Sequence, residues 1–122
     1  MVSKSDFKSK WNIANDPDTP AEILDALAND QDWMIRSAVA KNRNTSKDAL
    51  RKLAKDSEPT VRQGAALNPH TPEDVLGALA DDEDTLVRII LSKNPKAKIE
   101  TVNKLVEDCF TVSKSAIESG RV

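Results

Sequence analysis

NPHTPEDVLGALADDEDTLVRIILSK, residues 68–93, spells out two short helices and their stops in a single stretch. Thr71 followed three residues later by Asp74 resembles a capping box, with Asp standing in for the longer Glu. Pro72 falls where a first helical residue needs no N–H. Val75, Leu76, Leu79 and Ala80 then recur at helical spacing. A polar turn through Asp82 follows, and Asp84 places an acid at the start of a second helix, where it can cap and favour the helix dipole. Val87, Ile90 and Leu91 continue the apolar face. Asn94 and Pro95 close the unit, Pro95 because it cannot continue a helix.

Sliding the chain along itself until Asn68 lies on Asn42 brings further copies into register without a gap. DPDTPAEILDALANDQDWMIRSAVAK covers 16–41, NRNTSKDALRKLAKDSEPTVRQGAAL covers 42–67, and NPKAKIETVNKLVEDCFTVSKSAIES covers 94–119. FKSKWNIAN, 7–15, aligns with the back half of a unit, Lys10 at the Arg36 position and Ile13 at that of Val39. The expected organisation is therefore one repeat domain over 1–122. It has an N-terminal half-repeat cap at 7–15 (Phe7, Trp11 and Ile13 sealing the end), repeats at 16–41, 42–67 and 68–93, and a divergent capping repeat at 94–119. Thr19, Thr45 and Thr71, with Glu22, Asp48 and Asp74, are expected to open the first helices, whose apolar residues begin with Ile23 and Leu24 in the first unit. Asn42, Asn68, Asn94 and Gly120 are expected to end the second helices in a left-handed cap. Helices this short are marginal alone in water, so stability must come from stacking units into a solenoid.

Composition removes several functions. Eighteen basic and twenty acidic residues leave a net charge of −2, against a generally basic nucleic-acid binder. Cys109 is the only cysteine and His70 the only histidine, so neither a disulfide nor a Cys/His metal cluster is expected. Cys109 occupies a turn position held elsewhere by Gln31, Ser57 and Glu83. The run Asp81–Asp84 reads as a solvated turn, lacking the spaced ligands and glycine of a calcium loop. No nucleophile–base arrangement stands out, so no catalytic residue, metal or cofactor is expected. Nothing resembles a signal peptide or a membrane span, and a cytoplasmic protein is the default.

The pattern N-P-x-T-P-x-x-V-L-x-x-L-A-x-D-x-D-x-x-V-R, residues 68–88, resembles the variant leucine-rich repeat, and its second helix is similar to HEAT repeats. The resemblance implies an all-α, right-handed superhelix of paired helices, one of them often 3₁₀-like, without β-strands. By analogy it implies a binding role. The fourth unit departs, with Ala97, Lys98 and Lys114 in place of Thr, Pro and Arg. The family's iron–sulfur segment has no counterpart here.

A repeat carries an internal control: what recurs in every unit serves the unit, and what appears once is the better candidate for function. Arg36, Arg62, Arg88 and Lys114 recur, as do Asp30, Asp56, Asp82 and Asp108, so these ladders read as scaffold. Trp33 stands where other units have Pro59, Thr85 and Thr111. Met34 shares a column with Thr60, Leu86 and Val112. Trp11 shares one with Ser37, Gln63, Ile89 and Ser115, a mostly polar column expected to be exposed. A partner-binding patch around Trp33, Met34, Leu86 and Ile89 follows, since Trp is favoured at binding hot spots. Charge is segregated as well. Residues 42–67 hold six bases and three acids, a balance of +3, and 68–93 hold two and six, a balance of −4. Arg43, Lys47, Arg51, Lys52 and Lys55 make most of the positive patch. The expected function is a non-enzymatic protein-interaction scaffold with Arg51, Lys52 and Lys55 contributing. The alternative is binding to a nucleic-acid backbone through the same bases, and self-association through open solenoid ends is a further expectation.

Overall fold

The structure is a computed structural model that describes residues 4–97, as helix and turn throughout. The repeat at 94–119 lies almost wholly outside the described residues. Seven helices succeed one another: α1 (Lys4–Asn15), α2 (Ala21–Leu27), α3 (Trp33–Lys41), α4 (Lys47–Leu53), α5 (Pro59–Leu67), α6 (Glu73–Leu79) and α7 (Thr85–Leu91). α3 packs along α5, α5 along α7 and α1 along α3, so the second helices of successive units form one closely packed layer. The first helices α2, α4 and α6 lie against it from the other side. The chain is an α-solenoid.

The apolar period explains the stacking. Leu24, Leu50 and Leu76, one per unit, are buried, as are Ile35, Val61 and Val87 from the second helices. Each such side chain contributes about 1.5–3 kcal/mol on leaving water. Small residues set the spacing of the inner layer. A Cβ on Gly64 would stand 2.8 Å from the Ala40 Cβ and 3.2 Å from the Ser37 carbonyl, so only glycine lets α5 lie this close to α3. Ile23 breaks the expected pattern. It is 46% exposed although Ala49 and Val75 in its column are buried, because among the described residues no first helix precedes α2. Ile13, the counterpart of buried Val39, is exposed for the same reason.

The helix ends differ from expectation in three ways. The predicted capping boxes do not form. Thr19, Thr45 and Thr71 instead donate their hydroxyls backwards, to the carbonyls of Ile13, Val39 and Ala65 at 2.6, 2.5 and 2.6 Å. Those carbonyls lie in the last turn of the preceding helix, where the regular i→i+4 bonding runs out and those of Ile13 and Val39 otherwise accept only an i+3 N–H. The N-cap residues are Pro20, Ser46 and Pro72, of which only Ser46 makes a side-chain cap, to the Ala49 N–H. Second, no left-handed cap occurs at Asn42 or Asn68: their φ/ψ values are −75°/131° and −68°/122°. The asparagines are extended because their amides are used across the seam, and Pro69 also pushes Asn68 out of the helical region. Third, the first helices are α-helical, and i→i−3 bonds appear at their two ends, as in Ile23 to Pro20 at the start of α2 and Asn29 to Ala26 and Asp30 to Leu27 after it.

Candidate interaction surface

Two polar ladders fix the stack and thereby position every surface column. One runs through the asparagines. The Asn68 Nδ2 donates to the carbonyls of Ala40 and Asn42 at 2.8 and 2.9 Å, while its Oδ1 accepts from the His70 N–H at 2.9 Å. Asn42 repeats this on Ala14 and Asp16, and Asn94 on Ala66 and Asn68. Each amide thus bonds two carbonyls at the equivalent helix end one period earlier. The first position of this column is Asp16, whose Oδ1 accepts from the Asp18 N–H as the asparagines do from theirs, but a carboxylate has no hydrogens to donate.

The second ladder joins guanidinium to carboxylate. Arg36 meets Asp56 of the next unit through Nε and Nη2 at 2.8 and 3.2 Å, and Arg62 meets Asp82 at the same distances. The Arg36 and Arg62 Nη1 atoms donate to the carbonyls of Asp30 and Asp56, both at 2.7 Å. Arg88 reaches the Asp82 carbonyl, and the equivalent aspartate, Asp108, is outside the described residues. Lys10 takes the arginine's place on Asp30 at 2.9 Å. The aspartates also receive the N–H two residues on, from Asp32, Glu58 and Asp84. Burial raises the proton affinity of Asp30 and Asp56, but these bonds and the neighbouring cations outweigh it and hold both carboxyls below their ordinary value. The bond to Asp56 raises the affinity of Arg36, and that to Asp82 the affinity of Arg62. Among the described residues no buried side-chain nitrogen or oxygen lacks a partner.

The candidate residues fall on two different layers. Trp33, Met34, Leu86 and Ile89 belong to the second helices and are 41, 38, 56 and 44% exposed. They do not form one unbroken patch: α5 lies between them with half-buried Pro59, Thr60 and Gln63. At about 100° per residue, positions 34, 37 and 41 share a face of α3, as do 60, 63 and 67 on α5 and 86 and 89 on α7, with Lys93 in the turn after it. Exposed Leu67 therefore adjoins the same band. Trp11 reaches it from α1, its ring stacked on Phe7 with centroids 6.1 Å apart. The Trp11 column is not uniformly exposed, for Ser37 is buried where α5 crowds α3.

Arg51, Lys52 and Lys55 lie apart from that band, on α4 and the turn after it. Arg51 is bonded to Asp74 of α6. That exposed bond draws the Asp74 carboxyl below its ordinary value and raises Arg51. Arg43 pairs with Asp18 at 3.5 Å. Lys52 and Lys55 line an open cleft of about 540 Å³ between the first two units, together with Asp30, Arg36 and Asp56. His70 is an exposed loop residue. Cys109 lies outside the described residues. Among the described residues no three His, Cys, Asp or Glu side chains gather as they would around a metal ion, and no helix is long and apolar enough to cross a membrane.

Stacked helix pairs, seam-spanning polar ladders and a surface that changes from unit to unit define a helical repeat scaffold. Residues 59–84 match the family described as leucine rich repeat variant. The matched segment spans α5 and α6, one full period cut at a different phase. No curated protein and no solved structure matches the chain.

Proposed function

We propose that the chain is a non-enzymatic scaffold that binds a protein partner on the exposed face of its second-helix layer. The observation behind this reading is the contrast on α3, α5 and α7. Inward positions repeat from unit to unit, while Trp33, Met34, Leu86 and Ile89 are large, apolar, exposed and peculiar to their units. Exposed apolar groups grouped on one face mark interaction sites more often than scattered ones. A second reading rests on Lys52 and Lys55, which line the cleft between the first units beside Arg36 and would face a phosphate backbone laid there.

Photo-crosslinking tests the first reading. A photoreactive residue at Met34 or Leu86 should trap a protein in nuclease-treated lysate, whereas one at Glu22 on the opposite layer should not. Equal trapping from Glu22 would reject the assigned face. Trapping from Lys52 alone, abolished by nuclease and by added salt, would favour the second reading.

A further inference from the structure

The band over α3, α5 and α7 has a charged border with the period of the repeat. Asp32, Glu58 and Asp84 are the N-cap residues of the three helices. Asp6 stands one period earlier, in the first turn of α1. The neighbouring ladder aspartates are matched by Lys10, Arg36 and Arg62; the N-cap acids and exposed Glu83 add negative charge along this border, which Arg88, on the Asp82 carbonyl and the Thr85 hydroxyl, offsets in part at α7. Lys52 and Lys55, on the α4 side of the middle turn, temper it most near Glu58. The opposite border carries exposed Lys41 and Lys93 at the ends of α3 and after α7. Apolar groups on α3 and α7, with the half-buried polar Thr60 and Gln63 of α5 between them, thus lie between an acidic side and a basic side.

The spacing selects the occupant. Packed helices stand about 8–10 Å apart, and seven residues of an α-helix advance about 10.5 Å. A cation at every seventh position therefore keeps step with successive units, and the heptad's apolar positions fall on one face. Building on the function proposed above, we propose that this band receives an amphipathic helix lying across α3, α5 and α7. Its apolar face covers Met34, Thr60, Gln63, Leu86 and Ile89. Lys or Arg at seven-residue spacing faces Asp32, Glu58 and Asp84, and acidic residues face Lys41 and Lys93.

The test uses three fluorescein-labelled helical peptides of three heptads with the same leucine face. One has the charges just described, one has both flanks exchanged, and one has the cations moved to five-residue spacing. Anisotropy at low salt should show the matched peptide binding about tenfold more tightly than either control, the effect of a few solvent-exposed pairs acting together. D32N/E58Q/D84N should abolish that preference while leaving the fold intact, because Asn caps a helix as well as Asp and Glu58 makes no side-chain cap. Equal binding of all three peptides, or binding of none, would overturn this inference. The broader reading fails separately, if Ile89→Asp leaves crosslinking from position 34 or 86 to the protein partner unchanged.

Discussion

Two sets of polar bonds tie neighbouring units together, and they are made of the same materials. Along the seam of the second helices, Arg62 grips Asp82 with two bonds, adds the Asp56 carbonyl, and is largely shielded from water. Across the first helices, Arg51 meets Asp74 with one nitrogen and both side chains face solvent. The partners are 20 residues apart in one case and 23 in the other. What separates them is recurrence. Arg62–Asp82 has counterparts in Arg36–Asp56 and Lys10–Asp30, whereas Arg51–Asp74 has none among the described residues. Solvent screens the exposed pair and entropy opposes it. The seam pair also saturates a backbone carbonyl, which the exposed pair does not.

The seam should break most severely at its asparagines. Asn68→Asp keeps the shape but turns a carboxylate oxygen towards the carbonyls of Ala40 and Asn42. A loss of about 3 kcal/mol or more is expected, read as a fall in the urea midpoint at pH 7. Arg62→Ala should follow, at about 2–3 kcal/mol for a shielded, charge-assisted network. An unchanged midpoint in either variant would show that the ladders accompany the stack without holding it.

Acid offers a graded version of the same test. Asp30 and Asp56 are held below their ordinary value when folded, so the unfolded chain binds their protons first. Their stabilisation is complete above the unfolded carboxylate range near pH 4 and is lost as pH falls through the lower folded values. Urea midpoints should decline over that interval, and less steeply in Asp56→Asn. The smallest effect belongs to Arg51→Ala, for which thermal unfolding should be indistinguishable from the parent in moderate salt. A clear drop in Tm there would erase the distinction between the two sets of bonds.

Much of the architecture is legible in the sequence because a solenoid writes its core once per unit. The period, the order of helices and the buried Leu24, Leu50 and Leu76 all follow from it. The roles of the polar markers are harder to read. Asn is tolerated in a left-handed cap, but its presence after a helix does not reveal that its amide is required by carbonyls at the helix end one period earlier. Thr before a helix suggests an acceptor for the next N–H, whereas here the hydroxyl donates to the previous helix. Single columns also conceal depth: Ser37 and Trp11 are equivalent in sequence, yet the approach of Gly64 buries one and leaves the other at the surface. For the same reason, spacing alone does not reveal that Trp33 and Arg51 lie on different layers.

The asparagine ladder also has a consequence for how such a gene can change length. The Asn68 amide touches one carbonyl that is 26 positions behind it and another that is 28 behind, so it measures the chain as well as bonding it. A duplication or excision of a whole period returns every amide to an equivalent pair of carbonyls. One that falls a single residue short or long strands a rung. Recombination is thereby confined to whole units, while point changes on the outer columns pass without disturbing the count.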